Sequence, residues 1–159
     1  MLVKDNHTDL VGAAMVVGGG VAGIQAALDL ANSGIKVYLV ESSTAIGGKM
    51  AQLDKTFPTN DCAMCTISPR LVECSRHRNI EIITNADVLG ISGSVGNFNV
   101  SVRRRPRFIH LDKCTGCGEC AAKCPVKLPS EYDAQLTTRT ATYRRYPQAV
   151  PSAFAIDKK

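Results

Sequence analysis

Aromatic side chains are scarce in this sequence. None of its 159 residues is Trp, four are Tyr and four are Phe, which makes 5% of the chain. The formal net charge is +5, with local basic runs at Arg103–Arg105, Arg107 and Arg144–Arg145. Binding to nucleic acid requires a basic patch together with a recognisable motif or an aromatic platform. The sequence therefore gives no support to nucleic-acid binding, and the basic residues fit a solvated strand edge.

The sequence also lacks a long uninterrupted hydrophobic run. Its longest apolar stretch, residues 11–31, is broken by several glycines, by Gln25 and by Asp29. That stretch is too polar to be a membrane span. The first residues contain no basic segment leading into an apolar core, so no signal peptide is indicated. We therefore expect a cytoplasmic protein without a membrane span.

Cysteine, by contrast, is abundant, with seven residues in two groups. An odd number in two groups fits a disulfide framework poorly, whereas metal ligation in a reducing compartment explains both facts. Cys114, Cys117, Cys120 and Cys124 are followed by Pro125. This C-x2-C-x2-C-x3-C-P spacing binds [4Fe–4S] clusters, and the fourth cysteine ligates the other cluster in two-cluster ferredoxins. Zinc is disfavoured, because paired zinc knuckles usually need a spacer of ~15–20 residues between their C-x2-C pairs.

The first cysteine group supplies three candidate ligands, Cys62, Cys65 and Cys74. We interpret them as a second cluster site whose fourth ligand comes from elsewhere. Asp61 and His77 could serve locally, although His77 lies between two arginines and is more readily a surface residue. A redox-active C-x2-C dithiol is the alternative, but such a pair normally opens a helix directly after a strand. The residues before Cys62 are typical of a loop, which favours the cluster.

A glycine-rich turn near the start of the chain is typical of dinucleotide binding. Residues 18–23 match G-x-G-x-x-G between a predicted strand, Ala13–Val17, and a predicted helix, Val21–Ser33. A second predicted strand, Lys36–Val40, ends at Glu41. In this motif the glycines permit a tight turn, close approach of the pyrophosphate and close packing of helix on strand. An acidic residue at the end of the second strand binds ribose hydroxyls.

The loop predicted after Glu41 contains a second glycine pair, Gly47-Gly48, followed by Lys49. A Gly-Gly pair soon after the acidic residue resembles flavoproteins with two dinucleotide-binding domains, and this favours FAD over NAD.

The rest of the sequence predicts only a few further elements. They are a strand at Ile80–Thr84, a β-hairpin formed by Val88–Ser92 and Phe98–Arg103, and a short helix at Glu119–Lys123. Beyond Pro125 the sequence predicts no regular element. The fold class is therefore α/β, with a Rossmann-like FAD-binding βαβ half domain at residues 1–106 and a partial ferredoxin-like iron–sulfur segment at 107–159.

Together these motifs resemble the FAD- and iron–sulfur-containing subunit of heterodisulfide reductase, which is found in anaerobes. The resemblance extends from about Met15 to Ile156 and is carried by residues 17–30, 46–62, 114–125 and 146–151. The stretch 46–62 is the most specific, because flavoproteins in general do not share it. Family members are several times longer, so the chain corresponds to an N-terminal fragment that holds the first half of the flavin fold.

The resemblance implies an oxidoreductase subunit that passes electrons between FAD and [4Fe–4S] clusters during flavin-based bifurcation, in a setting such as methanogenesis. Its partners would be other subunits of the complex, a hydrogenase or dehydrogenase that donates electrons, or ferredoxin. A non-catalytic electron carrier or docking module is the alternative. No catalytic residue is indicated. The residues implied in FAD binding are Gly18, Gly19, Gly20, Val21, Ala22, Gly23, Glu41, Ser42, Gly47, Gly48 and Lys49, and those implied in cluster binding are the seven cysteines.

Overall fold

The computed structural model describes residues 12–158, and its centre is a three-stranded parallel sheet. The strands are β1 (Ala13–Val17), β2 (Lys36–Glu41) and β3 (Ile80–Thr84), in the spatial order β1-β2-β3. Val37 pairs with Ala14 on one side and with Ile80 on the other. Parallel neighbours need crossover connections, which are usually helices. The sheet is thus a β-α-β-α-β unit, one strand and one helix longer than the predicted βαβ unit.

Helix α1 (Val21–Asn32) connects β1 to β2, as predicted. Its buried side chains are spaced by three or four residues, so they form one apolar face on the sheet: Ile24, Ala27, Leu28 and Ala31. The helix ends where Gly34 takes a positive φ of 85° and donates its N–H to the carbonyl of Ala31 at 3.0 Å. A glycine in this conformation is a common helix terminator.

Helix α2 (Ala63–Arg76) connects β2 to β3, in a region where the sequence predicts no helix. Its buried positions are Ala63, Ile67, Leu71 and Cys74, again at helical spacing, and the last three lie in the same buried cluster as the inner face of α1. The helix also contains Pro69, which lacks the N–H that a helix interior needs. The sequence does not indicate this helix, because a proline is unusual inside a helix and the cysteine spacing is also typical of metal ligands. A 3₁₀ helix, Met50–Gln52, lies in the loop before it.

The predicted hairpin is confirmed and is longer than expected. Strands β4 (Ala86–Ser94) and β5 (Asn97–Arg104) pair antiparallel across a turn at Val95 and Gly96. A register irregularity lies between Val88 and Gly90. Most of the hairpin is exposed, so it adds little to the core.

The region beyond Pro125 does contain regular structure, contrary to the sequence prediction. After the short helix α3 (Glu119–Ala122), β6 (Lys127–Pro129) pairs with β7 (Thr138–Thr140). Strand β8 (Thr142–Tyr143) then pairs with β9 (Ala155–Ile156). Strands of two or three residues have no readable alternation, which explains why the sequence does not indicate them.

Residues from both sides of the predicted boundary at 106 share one core. Tyr146 and Ala149 lie in the same buried cluster as Ile46 and the inner face of α1. Buried Arg107 also joins the two sides, donating to the carbonyl of Thr44 at 2.6 Å and to that of Ala153 at 3.4 Å. The two-domain division stays a prediction. Within residues 12–158 no helix has the length and apolarity needed to cross a membrane.

Candidate cofactor sites

The predicted glycine turn lies between the end of β1 and the start of α1. Gly18 has a φ of +101°, a conformation that side chains rarely adopt, and its N–H donates to the carbonyl of Val40 at 2.7 Å. A Cβ on Gly23 would collide with the carbonyl oxygen of Gly18. A Cβ on Gly20 would meet nothing within 4 Å. Gly18 and Gly23 therefore shape the turn, and Gly20 leaves an open approach to its backbone.

The first turn of α1 is open to solvent. Val21 and Ala22 are exposed, and no side chain caps the N-terminus at Gly20. The first N–H groups of a helix have no partner within it, and they lie at the positive end of its dipole. This arrangement is the one that binds phosphate groups at helix N-termini.

The carboxylate of Glu41 accepts hydrogen bonds from the glycine turn and from the residues that follow β2. Its Oε2 accepts the N–H of Gly19 at 2.6 Å, and its Oε1 accepts the N–H of Ser43 at 2.7 Å and the hydroxyl of Ser42 at 3.3 Å. Burial alone would raise the pKa of Glu41, but the hydrogen bonds from Ser43 and Gly19 outweigh it and hold that pKa below its ordinary value. An ionised carboxylate has about four acceptor positions, so Glu41 retains capacity for a ribose hydroxyl.

The Gly47-Gly48 pair packs directly against the glycine turn at residues 18–23. The N–H of Gly47 donates to the carbonyl of Gly19 at 2.6 Å, and a Cβ on Gly48 would lie only 2.8 Å from the Cα of Gly20. Both residues have positive φ, 125° and 56°. Lys49 is exposed at the start of the 3₁₀ helix. The structure thus brings together the predicted FAD-binding residues around one turn, although they are separated by up to 31 positions in the sequence.

An open cavity of about 670 Å³ lies beside Glu41. Ser42, Ser43 and Thr44 line one wall, and Asn85 and Arg105 also line it. Arg105 donates a hydrogen bond to the carbonyl of Ser42. Pockets for drug-sized ligands are of roughly this volume, about 300–1,000 Å³. The donors and the open space at the end of β2 fit the adenosine half of a dinucleotide.

The cysteine run at 114–124 forms a loop around the short helix α3. Gly116 and Gly118 have φ values of +73° and +89°, so the chain turns sharply between successive cysteines. Cys117 and Cys120 are exposed, and Cys114 and Cys124 are half-buried. In the described part of the chain, no three Cys, His, Asp or Glu side chains converge in a metal-binding arrangement.

The surroundings of this run favour thiolates. Hydrogen bonds from the Glu119 backbone and the Thr115 side chain lower the pKa of Cys117, and bonds from the backbone and hydroxyl of Thr142 lower the pKa of Cys124. The N–H of Phe154 donates to the sulfur of Cys114 at 3.5 Å. Iron–sulfur clusters are held by thiolates, and hydrogen bonds to the sulfurs tune their potentials. The donor set therefore fits cluster ligation.

The three cysteines of the first group are not brought together. Cys62 and Cys65 lie at the start of α2 and form a disulfide, with Cα atoms 5.2 Å apart. Cys74 follows Cys65 by nine residues on the same helix, which corresponds to about 14 Å along its axis. Cys74 is fully buried, and burial raises the pKa of its thiol to about 11. This geometry does not support a metal site shared by all three, because the length of the helix separates them. His77 forms a hydrogen bond with Asn32 instead.

Two protein-family models match the chain at these two sites. Residues 14–88 match the FAD dependent oxidoreductase family, and residues 108–129 match the 4Fe-4S binding domain. The first range contains the glycine turn and Glu41, and the second contains all four cysteines of the run. The predicted fold class and both predicted cofactor types are thereby confirmed.

The same fold is found in a solved dehydrogenase structure. The crystal structure of L-proline dehydrogenase from P. horikoshii superposes with a TM-score of 0.51 and 28% identity, over 58% of this chain and 19% of that one.

Curated relatives match nearly the whole chain. One is an iron-sulfur subunit of the CoB–CoM heterodisulfide reductase of Methanopyrus kandleri, which is 54% identical over 148 residues, 93% of this chain and 23% of that protein. Another is the corresponding subunit of the H(2)/formate:CoB-CoM heterodisulfide,ferredoxin reductase of Methanococcus maripaludis, 52% identical over 98% of this chain and 24% of that protein. The chain thus spans about a quarter of the length of these relatives. Over this shared segment, about half of the residues of the chain are identical to those of proteins named as A subunits of heterodisulfide reductases.

Proposed function

We propose that the chain is the flavin- and cluster-carrying part of an electron-transfer subunit in a heterodisulfide-reductase-like complex. The observation that carries this proposal is the presence, in one chain with one shared core, of an open dinucleotide-binding turn and a ferredoxin-type cysteine run. Flavins exchange both one and two electrons, whereas clusters carry electrons singly. Holding both allows one subunit to divide an electron pair and lead single electrons away, as flavin-based bifurcation requires.

The FAD site proposed here is the glycine turn with the residues that close it. The free N–H groups at the start of α1 bind the pyrophosphate, and Gly20 permits its close approach. Glu41 binds ribose hydroxyls, and Gly47, Gly48 and Lys49 close the site. When bound, FAD supplies the redox chemistry, and these side chains and N–H groups orient it.

The cluster site proposed here uses the run at 114–124. Cys114, Cys117 and Cys120 hold one [4Fe–4S] cluster, and Cys124 is directed to another, as the spacing rule for two-cluster ferredoxins requires. The N–H group of Phe154 donates a hydrogen bond to the sulfur of Cys114, and a backbone hydrogen bond from Glu119 lowers the pKa of Cys117.

The partners proposed are further subunits of such a complex, with a hydrogenase, a dehydrogenase or ferredoxin as the electron source. Relatives support this, since one is named as part of an H(2)/formate:CoB-CoM heterodisulfide,ferredoxin reductase. The cysteine content and the thiolate-stabilising hydrogen bonds suit a reducing cytoplasm. A carrier or docking module without its own flavin is the second candidate.

The test is anaerobic expression of the natural full-length protein, followed by visible spectroscopy and analysis of iron, acid-labile sulfide and FAD. We expect flavin absorption together with a broad iron–sulfur shoulder, and loss of iron in Cys120→Ser but not in the matched control Cys74→Ser. Iron and sulfide without flavin, together with no binding in a titration with FAD, would favour the carrier. Zinc without iron or sulfide would refute the proposed function.

A further inference from the structure

The disulfide pair Cys62 and Cys65 occupies an exposed position that the proposed function does not use. Both residues are exposed, whereas Ala63 between them is buried in the core. Cys62 caps the N-terminus of α2, and Cys65 lies in the first helical turn. A pair spaced C-x2-C at the start of a helix has both sulfurs on one turn, so they can meet without any movement of the backbone.

The start of α2 also provides a hydrogen-bond donor to the sulfur of Cys62. The N–H of Cys65 donates to the sulfur of Cys62 at 3.1 Å, so the sulfur occupies the place of a capping oxygen. Helix N-termini and C-x2-C motifs are the settings in which cysteines become good nucleophiles. The first turn of α2 contains no acidic residue, and Asp61 directly precedes Cys62 outside the helix.

The loop before the pair fixes its position. The N–H of Ala63 donates to the carbonyl of Asp54 at 3.1 Å, and Lys55 and Cys62 form a β-bridge. On the helix side, both the N–H and the hydroxyl of Thr66 donate to the carbonyl of Cys62 at 3.1 Å. The two sulfurs therefore stay within reach of each other when the bond between them is reduced.

The third cysteine of the group has none of these properties. Cys74 is fully buried among core side chains, and its thiol has a pKa raised to about 11 by burial, with a smaller effect from the charge of Glu73. A buried thiol of this kind is inert. Helix α2 therefore carries an accessible pair of cysteines at its start and a buried cysteine, Cys74, that only packs in the core.

The pair also lies at the ligand-binding edge of the sheet. Helices α1 and α2 each follow a parallel strand, so their N-termini lie at the same edge, outside the carboxyl ends of the strands, where ligands bind in such folds. A small cavity of about 160 Å³ lies between the two helices there, lined by Val21, Met50 and, one residue beyond the pair, Thr66. Because Thr66 directly follows Cys65, the cavity offers room for the aliphatic arm of a small thiol near the first turn of α2.

We propose that Cys62 and Cys65 form a redox-active dithiol–disulfide centre that exchanges electrons with thiols and disulfides. In the reducing direction, two electrons and two protons from a dithiol donor open the Cys62–Cys65 bond, and the donor becomes a disulfide. In the other direction, the Cys62 thiolate attacks a disulfide sulfur, forms a mixed disulfide and releases one thiolate. Cys65 then attacks Cys62, restores the internal disulfide and releases the second thiol. Each cycle transfers two electrons, and no metal is required.

The experiment equilibrates the anaerobically purified full-length protein with dithiothreitol buffers of graded redox poise, alkylates free thiols and identifies the labelled cysteines by peptide mass. Both Cys62 and Cys65 should become labelled together, in a single two-electron transition. Each of Cys62→Ser and Cys65→Ser should abolish the transition, and Cys74→Ser should leave it unchanged. Cys65→Ser treated with oxidised glutathione should trap glutathione on Cys62.

Two results would overturn the proposal. One is independent labelling of Cys62 and Cys65 that does not depend on the redox poise. The other is a fall in iron and acid-labile sulfide in Cys62→Ser comparable with that in Cys120→Ser, which would make the pair cluster ligands. Because the dithiothreitol titration does not involve FAD, its outcome is separate from the test of the proposed function.

Discussion

Gly23→Ala should destabilise the chain, although alanine is the better helix former. Gly23 lies in the first turns of α1, where replacing glycine with alanine ordinarily stabilises a helix by about 1 kcal/mol. In this structure, however, the added Cβ would collide with the carbonyl oxygen of Gly18. That oxygen belongs to the backbone of the turn, so it cannot rotate away as a side chain could.

The size of the effect follows from these two opposing contributions. Overpacking of a well-packed site costs about 1–3 kcal/mol, and the direct collision with backbone places this site toward the upper end. After the gain in helix propensity is subtracted, we expect a net loss of about 1–2 kcal/mol in the free energy of unfolding. Urea denaturation of the reduced chain, monitored by circular dichroism, measures this difference.

The matched control is Gly20→Ala, three residues earlier in the same turn. A Cβ there meets nothing within 4 Å, and Gly20 already has an extended backbone with φ −78°. Its free energy of unfolding should change by no more than about 0.5 kcal/mol. The same methyl group would obstruct the approach of a pyrophosphate, so FAD affinity in the full-length protein should fall about tenfold, equivalent to about 1.4 kcal/mol. Unchanged or increased stability of Gly23→Ala, or strong destabilisation by Gly20→Ala, would refute this assignment of roles.

Three further predictions concern buried groups. Tyr146→Phe removes the hydroxyl that donates to the Ile46 carbonyl, and it should lower the free energy of unfolding in urea by about 1–3 kcal/mol. Burial raises the pKa of Tyr146 from 10.0 to about 12, so the contribution of Tyr146 to stability is complete below pH 10 and is lost as the pH rises through 12. A wild-type stability that stays constant from pH 9 to 12 would contradict this. Cys74 should resist iodoacetamide at pH 8 in the native state, since its thiol pKa is about 11, and rapid alkylation would show that it is not buried. Because the pKa of Glu41 is lowered in the fold, the contribution of Glu41 to stability is complete above pH 4.5 and declines as the pH falls through the folded pKa. Glu41→Gln should therefore lose less stability than the wild type between pH 4.5 and lower pH, and the same loss in both proteins would contradict this.

Helix α2 shows where inference from the sequence fails. Its apolar residues recur at helical spacing, but Pro69 and the cysteine pair argue against a helix. The loop-like residues before Cys62 argue against the redox-dithiol alternative, because such a pair normally opens a helix directly after a strand. The structure also has a turn and irregular backbone rather than a strand at residues 57–61, but it places Cys62 at the N-cap of α2, so the pair does open a helix. The helix forms because packing of Ile67 and Leu71 against α1 outweighs the cost of one proline.

By itself, the sequence determined the glycine turn, the helix after it and the ferredoxin-type cysteine run, together with the two cofactor types. These features depend on residues close together in the chain, whose backbone requirements and ligand spacings can be recognised without knowing the rest of the fold. The tertiary structure alone decided which of three neighbouring cysteines are accessible and which is buried. It also decided that Tyr146 and Arg107 join the C-terminal region to the flavin-type core. Those outcomes depend on contacts between residues up to 100 positions apart, such as Tyr146 with Ile46, and no local pattern encodes which distant surface a side chain will meet.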